Sequence, residues 1–218
     1  LVQQCDVSDP ESAQEAVRKT ITGLGGLHIL INNAGILKTS ERQTYTRTNF
    51  WDITPETWSN TMAVNGNGPF HMAQASVSHM LSQKWGRVIG VTTSVDTMYR
   101  EGMSAYGPSK ACHEAFVALM ARELENTGVT ANVLIPGGTV DTNMIPSGIG
   151  HEKTTLMQPE VMQAPAVWLA SEESKSTNGQ RFIAYNWDES LPIKQRLEKA
   201  GAPAAWPQLG NQAINPWS

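Results

Sequence analysis

Residues 87–110 read RVIGVTTSVDTMYREGMSAYGPSK. The run opens on Val88, Ile89 and Val91, a short continuous apolar stretch of the kind that forms a strand buried on both faces. It closes on Tyr106-Gly-Pro-Ser-Lys110, whose spacing puts Tyr106 and Lys110 on one face of a helix, with their stems about 6 Å apart. A fixed ammonium beside a phenol favours the phenolate and lowers a pKa that is otherwise about 10. Tyr106 is therefore a candidate general acid/base. Ser94 stands twelve residues before the tyrosine, where the strand should emerge. A strand-end hydroxyl facing a Tyr/Lys pair can polarise a carbonyl and hand it a proton.

The same alternation extends in both directions. Leu1 to Cys5 reads as a strand, and Asp9-Pro-Glu opens a helix to about Thr22, with Asp9 as N-cap and Gly25-Gly26 as the stop. Leu27 to Ile31 reads as a second buried strand, and Thr54-Pro-Glu begins a helix to about Gln83. After the strand from Arg87 to Thr93, the helix carrying Tyr106 and Lys110 runs to about Asn126, with Gly128 beyond it. Val129 to Ile135 is a strand, Pro159 to Ala170 a helix and Gln180 to Tyr185 a last strand. This order predicts an α/β fold with a doubly wound parallel sheet over residues 1–187. Residues 188–218, with Pro192, Pro203, Pro207 and Pro216, read as an irregular C-terminal extension.

Composition narrows the function classes. The 218 residues are 40% hydrophobic and 17% charged, enough for a sizeable core. A formal charge of -4 with scattered Lys and Arg argues against nucleic acid and anionic membrane as partners. No apolar run approaches a membrane span. Cys5 and Cys112 are the only cysteines, so there is no disulfide framework, and a reducing cytoplasm fits best. The five histidines are scattered, which gives no metal site.

In doubly wound sheets ligands bind beyond the carboxyl ends of the strands, and the polar clusters fall there. Asp6, followed by Val7, ends the first strand; it can accept from an adenine amino group or serve as an ordinary helix-entry acid. Asn32, Asn33, Ala34 and Gly35 end the next, either as a turn or as a ligand wall that the backbone closely approaches. Asn65-Gly-Asn-Gly68 interrupts helix-like sequence, so a kink or π-bulge is expected, with Asn65 turned to the site or merely sitting in the kink. Pro136-Gly137-Gly138 ends a strand, and Thr139, Val140 and Thr142 follow as candidates to hold a flat amide.

Together these motifs closely resemble the short-chain dehydrogenase/reductase family in its single-domain Rossmann branch, from Leu1 to about Tyr185. Asn32 to Gly35 resemble its NNAG motif, Asn65 its helix asparagine, Ser94 its serine, Tyr106 and Lys110 its YxxxK pair, Pro136-Gly137 its PG motif, and Asp6 its adenine-contacting aspartate. The resemblance implies NAD or NADP as cofactor, a small carbonyl/alcohol substrate, and a homodimer or homotetramer. It implies catalytic roles for Asn65, Ser94, Tyr106 and Lys110. Asp6, Val7, Asn33, Ala34, Gly35, Tyr106, Lys110, Pro136, Gly137, Thr139, Val140 and Thr142 would contact the cofactor.

Three departures stand out. The family's first two strands and the TGxxxGxG phosphate loop between them are absent, and residue 1 is Leu, so the sequence reads as beginning inside a longer parent chain. The order implied by the family makes the missing strands interior, which would leave an exposed edge. Thr142 lies one residue further from Pro136-Gly137 than in the commonest spacing, and the tail exceeds the usual family end. These observations support a ketone/secondary-alcohol oxidoreductase; the alternative is a non-catalytic protein acting through association alone. Val95 to Met98 and the segment from Met144 to Met157 are expected to line the substrate pocket, the latter as a lid; the tail with Trp206 and Trp217 reads either as a cover over a neighbouring subunit or as a loosely packed terminus.

Overall fold

The computed structural model describes residues 1–37, 48–145 and 156–209. Its centre is a five-stranded sheet of β1 (Ile29–Asn32), β2 (Gly86–Val91), β3 (Val129–Ile135), β4 (Gln180–Ile183) and β5 (Gly201–Pro203), in that spatial order. The first four strands are parallel, and β5 runs antiparallel to β4. Val88 and Ile89 face opposite ways, as alternate strand residues must, and each anchors a different core. Val88 joins Val17, Leu30, Met80, Val117 and Val133 beneath α1 (Pro10–Leu24), α3 (Gly68–Gln83) and α5 (Tyr106–Glu123). Ile89 joins Leu134, Leu169, Phe182 and Trp187 beneath α6 (Gln163–Ala170) and α7 (Ile193–Ala200). The result is a three-layer α/β/α sandwich.

Local signals account for the elements that position the site. Asp9 caps α1 by accepting from the Glu11 N–H, and Gly25 ends it at φ 82°. The helix expected from Thr54 divides into α2 (Pro55–Met62), a π-helical turn over Ala63–Asn67, and α3. The Gly-rich stretch is therefore a π-bulge inside a helix. A short helix, α4 (Val95–Met98), caps the turn after β2.

Two expectations fail at the chain ends, and a third beside them: the Leu27–Ile31 strand is buried on one face only, because it lies at the edge of the sheet. Leu1 to Cys5 forms no strand. Among the described residues no strand pairs with β1 on its outer side, and Ile29 and Ile31 are 42% and 48% exposed. A strand exists only through its neighbour's hydrogen bonds, so the apolar residues of this segment pack on helices instead. Cys5 Sγ lies 3.9 Å from Met72 Sδ, and the Val7 carbonyl meets the His71 ring at 3.0 Å. Conversely, the tail is ordered through α7 and β5. Pro192 stands just before the helix and Pro203 ends an edge strand, two positions that tolerate proline. Gly201 lets β5 approach closely, since a Cβ there would come 2.8 Å from the Phe182 ring. Trp217, and residues 146–155 of the expected lid, lie outside the described residues.

Candidate active site

The carboxyl ends of β1, β2 and β3 converge with α5 and the π-turn. Tyr106 is the first residue of α5. The residue before it, Ala105, is fully buried and held at φ 67°, ψ -54°, a conformation that costs a non-glycine residue roughly 1–3 kcal/mol. Gly107 is required next to it, because any Cβ would strike the Met98 carbonyl. The helix thus enters the site under constraint.

Lys110 is 3% exposed; its Nζ donates to the Val91 carbonyl at 2.9 Å and lies 5.9 Å from the centre of the Tyr106 ring. Burial pulls its ammonium down to about 8. Tyr106 moves the other way: burial raises its pKa, and a hydrogen bond to the Thr93 side chain offsets part of the rise. The expectation that Lys110 draws the phenol down is therefore not met in the free protein. Desolvation outweighs the ammonium, whose nearest partner is the Val91 carbonyl, and Tyr106 is held as a neutral phenol. One turn further along, His113 is 1% exposed and pushed down to about 3 by burial and by Lys110. It is neutral at every physiological pH.

The π-turn aims Asn65 inward, where it is fully buried. Its Oδ1 accepts from the Ile36 N–H at 2.8 Å, and its Nδ2 donates to the Ile36 carbonyl at 2.9 Å and to Ser109 Oγ at 3.1 Å. Ser109 in turn donates to the Tyr106 carbonyl at 2.7 Å. Gly35 lies between these groups: a Cβ there would stand 3.3 Å from both Asn65 Oδ1 and Lys110 Nζ. The glycine keeps the chain after β1 flush against the ammonium, and Asn33 and Ala34 beside it are exposed. Asn32 is buried and bonds the Pro69 carbonyl at 3.2 Å, so it ties the strand to α3.

The remaining sequence candidates are less tightly gathered. Ser94 Oγ shares a hydrogen bond with Thr97 Oγ1 at 2.8 Å and accepts from the Thr97 N–H at 3.2 Å, which makes Ser94 the N-cap of α4. Asp6 is exposed and its carboxylate accepts from the Ser8 N–H and Oγ; these bonds lower its pKa. Val7 packs on Gly68. The Pro136 carbonyl accepts from the Tyr185 N–H, and Gly137 adopts φ 99° against Ile183 and Tyr185. Thr139 and Asp141 exchange backbone hydrogen bonds with Met157, and Val140 bridges it. Thr142 is exposed, while the Met144 methyl reaches toward Gly35 from this loop. Sequence reasoning missed Thr93, which stands thirteen residues before Tyr106. The only signal for it was the adjacency of two hydroxyls, Thr93 and Ser94, where one was needed.

A half-buried Tyr106, a buried Lys110, a side-chain amide and a glycine meet at the carboxyl edge of a parallel sheet, the edge at which doubly wound folds take their ligands. The profile of the family described as short chain dehydrogenase matches residues 1–151. The 3-oxoacyl-(acyl-carrier-protein) reductase FabG of Vibrio cholerae is 34% identical over 186 residues, 80% of this chain and 72% of that one. Acetoacetyl-CoA reductase of Shinella zoogloeoides is 28% identical over 192 residues, 84% of this chain and 76% of that one. Among solved structures, a gluconate 5-dehydrogenase from Burkholderia cenocepacia in complex with NADP and tartrate aligns with TM-score 0.72 and 25% identity, over 82% of this chain and 71% of that one. The chain belongs to the short-chain dehydrogenase family, whose members carry out NAD(P)-dependent redox chemistry on carbonyls and alcohols. Its cofactor is NAD or NADP.

The residues present fit the ribose end of such a cofactor. Lys110 has three N–H groups, of which the Val91 carbonyl takes one, and Gly35 leaves the backbone open beside it. No helix of the described residues is long and apolar enough to cross a membrane. Among the described residues no group of three His, Cys, Asp or Glu side chains is placed to hold a metal.

Proposed function

We propose that this protein interconverts a ketone and a secondary alcohol, with Tyr106 as the group that moves the proton. The observation that carries the reading is the half-buried Tyr106 at the head of α5, with Lys110 Nζ 5.9 Å from its ring centre and held on the Val91 carbonyl at the end of β2. The bound nicotinamide supplies the hydride in reduction and takes it back in oxidation. The protein's own residues do the rest. As hydride reaches the carbonyl carbon, the carbonyl electron pair moves onto oxygen, and Tyr106 Oη gives that oxygen its proton. A phenol whose pKa is raised holds this proton until charge develops on the substrate. A hydroxyl of the Thr93–Ser94 turn hydrogen-bonds the same oxygen and fixes its place.

Lys110 lies beside Gly35, where it can hold the cofactor's ribose hydroxyls and stabilise the tyrosinate left behind. Asn65 Oδ1 converges on the same glycine, which suits it to support the proton's return path. Asn33, Ala34, Gly35, Pro136, Gly137, Thr139, Val140 and Thr142 remain the proposed cofactor walls, with Asp6 and Val7 at the adenine end. Met144 and Met157 frame a partly apolar pocket for a medium-sized substrate, Met157 through its contact with Gly138. Cys5 and Cys112 are both free, in keeping with a reducing cytoplasm. Tyr106→Phe is expected to abolish turnover, read as NADH or NADPH consumption over a panel of ketones, while nicotinamide fluorescence reports unchanged cofactor affinity. Wild-type turnover by that variant would sink the assignment.

The second reading, association without catalysis, draws on exposed apolar surface. Trp58, Phe70 and Leu119 are 43%, 43% and 50% exposed on α2, α3 and α5, which suits a homo-oligomer. The two readings separate on one measurement, because only the enzyme enhances nicotinamide fluorescence when NADH or NADPH is titrated in.

A further inference from the structure

Ser109 is fully buried on α5, one residue before Lys110. Its N–H donates to the Ala105 carbonyl at 3.0 Å, and its Oγ donates to the Tyr106 carbonyl at 2.7 Å. It thus holds the carbonyls on both sides of the Tyr106 Cα. The same Oγ accepts from Asn65 Nδ2 at 3.1 Å, across 44 residues of chain. Asn65 has no spare group for another link. Its Oδ1 is taken by the Ile36 N–H and its other Nδ2 proton by the Ile36 carbonyl. Among the described residues, the bond to Ser109 is what joins the Asn65 side chain to α5. Ser76 offers a comparison within the molecule. It is also fully buried on a helix, and its Oγ donates to the Met72 carbonyl at 2.7 Å, but among the described residues that hydroxyl ties to no second element.

We propose that Ser109 is a positioning residue for the proton-moving step: it fastens the π-turn, through Asn65, to the main chain of Tyr106. The inference rests on the reading of Tyr106 as the proton donor. Tyr106 opens its helix, and the first turn of a helix has N–H groups without helical partners. The residue before it, Ala105, is held at φ 67°, and a strained backbone persists only where its surroundings over-determine it. Ser109 supplies that determination from inside the helix, by gripping the Ala105 and Tyr106 carbonyls together. A serine bonded to a carbonyl one turn back is by itself an ordinary local contact. The bond from Asn65 makes it a joint. The hydroxyl gives its proton to Tyr106 while it accepts one from Asn65, so the two bonds strengthen each other. Alanine at this place would release the Tyr106 carbonyl and leave a buried Asn65 proton unpaired. Ser109 reaches the reaction only through Tyr106 and Asn65.

The test sets Ser109→Ala beside Ser76→Ala. Each removes one buried hydroxyl, and each should lower the melting temperature. Only Ser109→Ala should also lower kcat, by about tenfold, short of the roughly hundredfold that a full ångström of misplacement costs. KM for the ketone and the affinity for NADH or NADPH should not change. The solvent deuterium isotope effect on kcat should rise, because the proton step is the one that slows. Ser109→Thr keeps the hydroxyl and should recover most of the loss. In the double variant Asn65→Ala/Ser109→Ala, kcat should match that of Asn65→Ala alone, since either change cuts the same tie. The tie is also read without turnover. The Asn65 side-chain amide, assigned in heteronuclear NMR spectra by its loss in Asn65→Ala, should shift and exchange faster in Ser109→Ala and stay in place in Ser76→Ala. The proposal is overturned if Ser109→Ala behaves as Ser76→Ala does, melting lower at wild-type kcat and isotope effect. It is equally overturned if the Ser109→Ala loss multiplies in full onto that of Asn65→Ala. Wild-type turnover by Tyr106→Phe would instead end the reading of the tyrosine; the amide would then judge the tie alone, upholding it by moving in Ser109→Ala and refuting it by staying.

Discussion

The two margins of the sheet are built in opposite ways. The β1 margin ends on a strand that no other strand pairs on its outer side among the described residues, and its Ile29 and Ile31 side chains are half-open. The β4 margin is closed twice: β5 pairs with it through the register Phe182↔Gly201, and Trp168, Phe182 and Trp187 stack against one another beneath α6 and α7. Ring centroids there lie 5.3–6.1 Å apart at tilted to edge-on angles, the arrangement that aromatic quadrupoles favour. Apolar residues at the start of the chain therefore do not make a strand, whereas a proline-rich stretch near its end does. What decides is whether a partner edge is within reach.

This contrast can be broken by mutation. Phe182→Ala should have the largest effect, about 3–5 kcal/mol, because it opens a cavity where β5, α6 and α7 all meet; the fall in urea midpoint measures it. A loss under about 1 kcal/mol would mean that the β4 margin is as loose as the other.

The middle of the sheet supplies the reference between the margins, since there burial falls on a charge. Lys110 titrates at about 8 in the folded chain and at 10.5 when exposed. From about pH 8 to 10.5 the unfolded state binds more protons, so stability should rise with pH, by roughly 3 kcal/mol in all. Below that window the penalty for the buried ammonium is fully present. Tyr106 works in the opposite sense only above pH 10, where the folded chain holds the extra proton. Denaturant titrations at about pH 7.5 and 9.5 should show about 2 kcal/mol of this gain in the wild type and none of it in Lys110→Met. A flat wild-type profile would show that Lys110 is better solvated than its position implies.

At the open margin the expected effect is smallest. Ile31→Thr should change stability by less than about 0.5 kcal/mol, as a half-exposed edge position allows. A loss above 2 kcal/mol, by the same denaturant measurement, would show that something covers this edge in solution.

Much of this was legible in the sequence. The Val129–Ile135 strand is buried at every residue, and its Val133-Leu134-Ile135 end marks it as a strand in the sequence, although Thr130 and Asn132 interrupt the apolar run. The π-turn followed from glycines placed where a helix should continue. The Tyr106–Lys110 face followed from helical spacing alone. Other features depended on separations that a sequence does not measure. Glu114 and Arg181 are 67 residues apart and meet only because β4 lies next to β3. Thr93 and Ser94 are both hydroxyls at the same strand end. Ser94 is taken up as the cap of α4, a helix only four residues long that the sequence did not announce. The electrostatics of the pair escaped for a related reason. Spacing places the ammonium near the phenol, but the Val91 carbonyl engages it and desolvation then governs both groups.

Asn65 has a consequence of a different kind. Its one amide accepts from the N–H of Ile36 and donates to the carbonyl of the same residue, as a neighbouring strand would. It grips position 36 by the main chain alone and is indifferent to the side chain there. A wall of the site is thereby held in place while its facing residue stays free to change. A family that keeps this asparagine can revise what it recognises at that position without loosening the machinery behind it.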